Sequence, residues 1–209
     1  MITIHKTVTP SSEQWQIIIE GMRNPMNSWD RSDSWFDPTD KAYIGENDLS
    51  LMKNLASAGT DHRKFMRMIP VWLTVTAPLY WWKEYDTYKV GTVANSCSTM
   101  HKIHEKEFTV DDFSYERTVD EKIVMRTIDC TLNTLNYLRE KYLETKKKEY
   151  WDSMIQLLPS SYNQKRTIFL NYENLLNIYR ARKNHKLDEW KKFCKAIETL
   201  PYFMEVCGG

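Results

Sequence analysis

The sequence predicts an α+β fold that is rich in helix and contains a small sheet. Apolar and polar residues alternate over residues 2–8 and again over 71–75, a pattern typical of strands with one buried face. Elsewhere, apolar residues recur at three- and four-residue spacing over longer segments, which indicates several long helices. The chain has 209 residues, so we expect a single domain over residues 1–209.

The elements of the first third follow from local signals. Residues 2–8 form the first expected strand, and Ser11 or Ser12 is placed to cap the helix that follows. Residues 24–47 contain prolines, aspartates and asparagines without periodicity, so we expect a long loop there. A short helix is expected over residues 48–59, ending at a glycine.

The middle of the chain contains its most apolar segment. The strand at residues 71–75 is interrupted at Pro78, and residues 79–85 then favour a helix. Residues 87–101 are small and polar, and their periodicity fits neither a strand nor an amphipathic helix. A long helix is expected over residues 119–148. Its apolar stripe comprises Ile123, Ile128, Leu132, Leu135 and Tyr142.

The last third is expected to be helical throughout. One helix reaches Leu158, before a proline, and two more are expected over residues 164–183 and 187–199. No internal repeat and no low-complexity linker divides this region.

Composition excludes several classes of protein. The net charge of +1 provides no field that would hold bulk nucleic acid or an anionic membrane. No apolar run approaches the ~18 residues of a membrane span, and the N terminus lacks a signal segment, so we expect a cytoplasmic protein. The four cysteines lack C-x-x-C spacing, which argues against a zinc clip or a disulfide scaffold. No glycine-rich phosphate loop occurs.

Two small clusters could carry chemistry. The i,i+3 spacing of His101 and His104 would permit a metal pair on a helix, but no third ligand is evident, so we expect no metal site. Cys97 precedes His101 and could be a nucleophile with its base, although a buried structural cysteine is the favoured alternative.

Other residues could bind a nucleotide. Trp72, Trp81 and Trp82 could stack on a base, or they could be core residues, the commoner place for such side chains. The polar stretch at residues 87–101, flanked by lysines that include Lys89, suits a phosphate or a solvated loop equally well.

A group of asparagines and arginines lies in the expected helix at residues 164–183. The step from Asn171 to Arg182 turns an ideal helix by about 1100°, which places the two on nearly one line, while Asn177 points about 120° away. Such a face could read a phosphate and a base edge, or it could be a solvated helix face.

These segments together resemble the flavin-dependent thymidylate synthases (ThyX). The family has a strand ending in Ala-Pro, here Val71–Pro78, and then a helix with a glutamine, whose position is taken here by Glu84. Its Ser-x-Asn-Glu-x-Ser-x-Arg loop corresponds to residues 92–100, with one extra residue. Its Asn-x5-Asn-x4-Arg pattern is present in register as Asn171, Asn177 and Arg182. The resemblance implies that both asparagines serve the flavin and that the arginine serves the nucleotide phosphate.

The sequence departs from the family at several functional positions. The Arg-His-Arg triplet is replaced by Thr87-Tyr88-Lys89, and the arginine that ends the loop is Met100. A family histidine falls at about Met68, and a glutamine at about Asp188. These positions hold the flavin and polarise the uracil in the family. We therefore expect a ThyX-like fold without thymidylate synthase activity, without a resident cofactor and without catalytic residues.

Three functions are compatible with this resemblance. The first is a nucleotide-binding protein, carried by a phage, that sequesters a host immune signal such as cyclic ADP-ribose or a cyclic dinucleotide. The second is an FAD-dependent methylase or hydroxymethylase of a pyrimidine nucleotide. The third is a structural or interaction module with a relic site.

The family builds its sites between subunits, so a homotetramer is expected. The predicted ligand-binding residues are Trp82, Glu84, Tyr88, Lys89, Thr92, Asn95, Ser96, Ser98, Asn171, Asn177 and Arg182.

Overall fold

Eight α-helices and six strands occur in residues 1–37, 39 and 42–208, which are the residues that this computed structural model describes. The helices are α1 (Ser12–Arg23), α2 (Glu46–Ser57), α3 (Leu79–Tyr85), α4 (Lys122–Thr145), α5 (Lys148–Leu157), α6 (Tyr172–Arg182), α7 (Asp188–Glu198) and α8 (Phe203–Cys207). The strands are β1 (Thr3–Val8), β2 (Trp35–Phe36), β3 (Ala42–Tyr43), β4 (Pro70–Pro78), β5 (Val93–Ser96) and β6 (Asn163–Asn171). The predicted helix-rich α+β class is confirmed. No helix in this described part of the chain is long and apolar enough to cross a bilayer.

Four strands form the main sheet, in the order β1-β4-β6-β5. In β4 the predicted alternation holds: Val71, Leu73 and Val75 are buried, and the strand ends at Pro78, where α3 begins. Strands β2 and β3 form a separate antiparallel ribbon in which Trp35 pairs with Tyr43. The ribbon lies within the segment predicted to be a loop.

Local capping signals at the N terminus were sufficient to place the first helix. The Ser11 hydroxyl accepts a hydrogen bond from the backbone of Gln14, and the Gln14 side chain accepts one from the Ser11 backbone. This reciprocal capping box satisfies two of the helix's otherwise unpaired N–H groups. The prediction that Ser11 or Ser12 caps α1 is confirmed for Ser11.

Two further predictions about secondary structure are wrong. Residues 163–171 form β6, so the helix expected over 164–183 begins only at Tyr172. The buried face of β6 carries Gln164 together with the apolar residues Ile168 and Leu170. Because one buried residue is polar, the alternation of apolar and polar residues that marks a strand is interrupted in the sequence. The polar stretch also contains a strand, β5, all of whose residues are exposed, so it has no apolar alternation to detect.

The stripe expected on α4 is only partly buried. Ile128 and Leu135 are buried, whereas Ile123 is 72% exposed. Because Ile123 lies in the first turn of the helix, its side chain falls outside the core that the later residues join.

The chain divides into two compact units. Unit 1 comprises Met1–Thr3, Val75–Thr87 and Asn95–Arg166; unit 2 comprises the described residues of Ile4–Thr74, Tyr88–Ala94 and Thr167–Gly209. In unit 1, α4 and α5 pack over a cluster of buried side chains: Ile103, Phe108, Phe113, Leu135, Met154 and Tyr162. In unit 2, helices α1, α2, α6, α7 and α8 enclose a core rich in aromatic residues, among them Trp15, Tyr172, Trp190, Phe193 and Phe203. The single domain predicted over residues 1–209 stays a prediction.

Candidate functional site

Helix α6 in unit 2 carries the asparagines and the arginine singled out from the sequence. Asn171 is the N-cap residue: its Oδ1 accepts a hydrogen bond of 3.0 Å from the backbone N–H of Asn174. The Asn174 Oδ1 in turn accepts one of 3.1 Å from the backbone of Asn171. Asn171 therefore ends a strand rather than lying within a helix, so the straight line drawn from it to Arg182 on one continuous helix is wrong. Asn177 is exposed on α6.

The segment from Tyr88 to Gly91, which we call the 88–91 segment, is fastened to α6. The Asn174 Nδ2 donates a hydrogen bond of 2.8 Å to the carbonyl of Val90. Gly91 has φ +72°, a left-handed conformation that favours glycine, and a Cβ there would lie 3.4 Å from the Asn171 Nδ2. The hydroxyl of Thr92 donates to the carbonyl of Tyr88 at 2.6 Å. These contacts hold the segment against the first turn of α6 and leave Lys89 exposed.

Arg182 contacts the other end of the same segment. It lies in the last turn of α6, and its Nε donates a hydrogen bond of 2.9 Å to the Tyr88 hydroxyl. The guanidinium carbon is 5.6 Å from the centroid of the Tyr88 ring and 4.9 Å from that of Trp190 on α7. Trp190 is completely buried. A hydroxyl and two aromatic rings thus contact the guanidinium at the end of α6.

An ion-pair cluster fixes the start of α6. Glu173, in its first turn, accepts hydrogen bonds from Arg67 and Arg63, which precede β4. The hydrogen bond from Arg67 is the main reason why the pKa of Glu173 lies below its ordinary value; burial opposes this shift, and the charges of both arginines support it. The acidic side chain also suits the positive end of the helix dipole.

The remaining predicted site residues lie in unit 1. Glu84 is half-buried on α3, and Asn95 and Ser96 are exposed on β5. The Ser98 hydroxyl accepts hydrogen bonds from the backbone N–H groups of Met100 and His101, so it shapes its own loop.

Trp82 in unit 1 belongs to the core. It is completely buried, and its indole Nε1 donates a hydrogen bond of 2.9 Å to the carbonyl of Gln164. The guanidinium of Arg166 lies 4.3 Å from the centroid of its ring and forms an ion pair of 2.7 Å with Asp86. Of the two alternatives predicted for Trp82, the core position is therefore the one observed, and the ring is not exposed for a base to stack on.

Cys97 differs from the expectation of a buried cysteine. It is exposed, its backbone N–H donates to the carbonyl of Lys165, and its own carbonyl accepts from the Gln164 side chain. The position beside the edge strand β5 exposes the thiol. Within the described residues, no group of three or more His, Cys, Asp or Glu side chains is arranged to hold a metal ion.

Sequence reasoning missed two residues that contact the 88–91 segment or Arg182, namely Asn174 and Trp190. Asn174 lies three residues after the N-cap residue, the spacing of a capping box, and this signal could have been found had the helix start been placed at Tyr172. Trp190 had no signal, because nothing local in the sequence connects it with Tyr88.

Comparison with solved structures identifies the fold. The protein superposes on thymidylate synthase X (ThyX) from Helicobacter pylori, solved with FAD and dUMP, with a TM-score of 0.70. The alignment covers 98% of this chain and 94% of that chain, at 16% sequence identity. A second structure of H. pylori ThyX complexed with FAD and dUMP gives a TM-score of 0.65, also at 16% identity, over 98% of this chain and 95% of that one.

The chain has a ThyX-like fold. No protein-family model matches the sequence, and neither does any curated protein. The structural match to ThyX confirms, for the fold, the resemblance drawn from the strand ending in Ala77-Pro78 and from the residues of α6.

Proposed function

We propose that this chain is a nucleotide-binding protein with a ThyX-like fold and without thymidylate synthase activity. The observation that supports it best is the arrangement of Arg182, held between Tyr88 and Trp190. Arg182 is also the residue that the ThyX resemblance assigns to a nucleotide phosphate. Exposed Lys89 follows Tyr88 in the same segment and supplies a second cation. Arginine and lysine side chains are both common ligands of phosphate groups.

The residues of this region do not fit a flavin in the family's manner. The position of the family histidine is taken by Tyr88, whose hydroxyl is engaged by Arg182. Asn171, which the resemblance assigns to the flavin, has its amide oxygen engaged by the backbone of Asn174. Both side chains are used within the chain, which supports a site without resident FAD. No step of the proposed function involves a flavin.

Binding alone is sufficient for the role that we propose. A phage protein acting in the host cytoplasm could sequester a nucleotide immune signal, of the cyclic ADP-ribose or cyclic dinucleotide type, without any chemical step. Such ligands carry phosphate groups that Arg182 and Lys89 could pair with, and Tyr88 offers an aromatic ring beside them. We also propose that the protein is a homotetramer.

The deciding experiment is to purify the protein, denature it and identify any released small molecule by mass spectrometry. A released nucleotide from a colourless protein supports the proposal. A yellow protein that releases FAD would favour the flavin-dependent alternative. If nothing is released, a panel of nucleotides is tested for an increase in melting temperature, since a ligand that binds only the folded state raises it. A panel without any shift would favour a relic site.

A further inference from the structure

Tyr88 contacts Arg182 in two ways at once. Its hydroxyl accepts a hydrogen bond of 2.9 Å from Nε, and the centroid of its ring lies 5.6 Å from the guanidinium carbon. The Trp190 ring approaches the same guanidinium at 4.9 Å and meets the Tyr88 ring edge to face at 6.2 Å. The hydrogen bond from Arg182 to Tyr88 and the two aromatic rings are thus among the contacts that orient this cation.

Tyr88 is itself held in place from both sides. Its carbonyl accepts the hydrogen bond from Thr92, and two residues further on the Val90 carbonyl accepts the one from Asn174. The left-handed backbone at Gly91 closes the segment against Asn171. The 88–91 segment is thus joined to α6 at the first turn through Asn174 and at the last turn through Arg182.

We propose that Tyr88 is a positioning residue for phosphate-bearing ligands, which it serves by fixing the guanidinium of Arg182 before the ligand arrives. This inference rests on the proposed nucleotide-binding function and deepens it, because it names the anionic group as the part of the ligand whose affinity depends on Tyr88. A long arginine side chain loses rotamer freedom when a ligand orders it. A side chain already held in place loses less on binding, so the ligand binds more tightly.

The variant Tyr88→Phe isolates this effect. It removes the hydroxyl that Nε contacts and leaves the ring, with its contacts to Arg182 and Trp190, in place. Tyr43→Phe is the matched control, because it removes the same group from an exposed tyrosine on the β2–β3 ribbon.

The first measurement tests the contact without any ligand. The Nε–H signal of Arg182 is observed by NMR in protein labelled with ¹⁵N-arginine and is assigned by its loss in Arg182→Lys. A hydrogen bond to Tyr88 slows exchange of this proton with water, so exchange should be faster in Tyr88→Phe and unchanged in Tyr43→Phe. Equal exchange in wild type and Tyr88→Phe would overturn the inference.

The second measurement tests the effect on binding by titrating dUMP, inorganic pyrophosphate and deoxyuridine, which has no phosphate. In Tyr88→Phe the affinity for dUMP and pyrophosphate should fall about tenfold, the order expected for one hydrogen bond to a charged group. The affinity for deoxyuridine should stay within about twofold. This difference between the phosphate probes and deoxyuridine separates positioning from a general loss of structure, which would weaken the binding of all three probes.

The outcomes also separate this inference from the function on which it rests. If Tyr88→Phe binds the two phosphate probes as tightly as wild type does, the positioning role is wrong and nucleotide binding stands. If all three affinities fall together, Tyr88 supports the fold only, which also overturns the inference. If wild type binds neither phosphate probe, the inference is overturned for these ligands; release of a nucleotide on denaturation would show separately that the proposed function holds.

Discussion

Asn171 and Asn174 cap the N terminus of α6 reciprocally, each side-chain oxygen accepting a hydrogen bond from the backbone of the other. Their pairing sets the residue at which β6 gives way to α6 and hence the turn in which Arg182 lies. Asn171 thus has a structural role in this chain, whereas Asn177, the second asparagine of the same motif, is exposed.

We expect Asn171→Ala to lower the free energy of unfolding by about 1 kcal/mol, because an N-cap side chain is lost. Asn171→Asp should preserve most of this stability, since a carboxylate also caps well. Urea unfolding measures the differences. Asn177→Ala is the matched control and should lie within about 0.5 kcal/mol of wild type. Equal effects of the two alanine variants would contradict the capping role.

The sequence was sufficient for elements whose signals are local. The alternation of buried apolar residues in β4 and the capping box at Ser11 each lie within a few neighbouring residues. Strand β6 was missed because the polar side chain of Gln164 occupies its buried face, where the Cys97 carbonyl accepts its hydrogen bond. A partner 67 residues away satisfies that amide, and no local pattern contains this information.

The same limit applies to the site. Arg182 was singled out from its place in the expected helix and again from the ThyX resemblance, and Tyr88 from that resemblance, but their contact joins positions 94 residues apart. The contact of Tyr88 with Arg182 depends on where the 88–91 segment lies, and Asn174 helps to place that segment by donating a hydrogen bond to the Val90 carbonyl. Composition and periodicity contain neither fact.

Arg182→Ala should weaken binding of the released nucleotide by about 1.5–3 kcal/mol, which is roughly a ten- to hundredfold loss, because a charge-assisted contact to phosphate is removed. Isothermal titration calorimetry measures the change. Arg180→Ala is the control: Arg180 is exposed in the same turn of α6, and its removal should change affinity by less than about threefold. If Arg182→Ala bound the nucleotide as tightly as wild type, α6 would not carry the nucleotide site.

A buried ion pair in unit 2 should dominate the response of stability to acid. Asp48 is completely buried; it accepts a hydrogen bond of 2.5 Å from the Arg23 Nε, and its other oxygen accepts from the hydroxyls of Ser34 and Ser32. Burial alone would raise the pKa of Asp48, but the hydrogen bonds from Ser34, Ser32 and Arg23, with the charge of Arg23, lower it below the ordinary 3.8.

We therefore expect Asp48→Asn to reduce the free energy of unfolding by about 3–5 kcal/mol at neutral pH, because Arg23 is left as a buried charge without its counterion. A lowered pKa means that the native state favours the charged carboxylate. The advantage of wild type over the variant should be full above about pH 4 and should shrink as the pH falls through the lowered pKa. Urea unfolding from pH 7 to pH 3 measures the difference in free energy of unfolding between wild type and Asp48→Asn. The control is Asp30→Asn, at an exposed position. A constant difference across this range would contradict the assignment.

Assembly can be tested through helix α4. Ile123 and Tyr137 on this helix are 72% and 55% exposed, and so much apolar surface on one element is unusual for a monomer. A homotetramer of 25.0 kDa chains should give a mass of about 100 kDa by light scattering at micromolar concentration. Ile123→Glu should lower that mass, whereas the control Lys122→Glu, at the neighbouring exposed position, should not. A wild-type mass near 25 kDa would contradict the tetramer.

The last prediction is the absence of thymidylate synthase chemistry. The ThyX reaction, as the resemblance describes it, uses a flavin beside the nucleotide and cationic groups that stabilise negative charge on the pyrimidine. In the triplet, Tyr88 supplies a neutral hydroxyl, and Lys89 supplies a point charge without the planar fork of an arginine. Met100 removes a further cation from the end of the loop. Loss of one such donor typically costs about 10²–10³ in rate, and several are absent here together.

We accordingly expect no detectable conversion of dUMP to dTMP when FAD, NADPH and methylenetetrahydrofolate are supplied. The gene should also fail to rescue a bacterial strain that requires thymidine. ThyX from H. pylori, assayed in parallel and expressed in the same strain, is the positive control, and a western blot confirms that both proteins accumulate equally. Rescue by this gene would contradict the prediction. Rescue that then disappeared in Lys89→Ala would assign the missing cationic role to Lys89, and with it a catalytic function to the 88–91 segment.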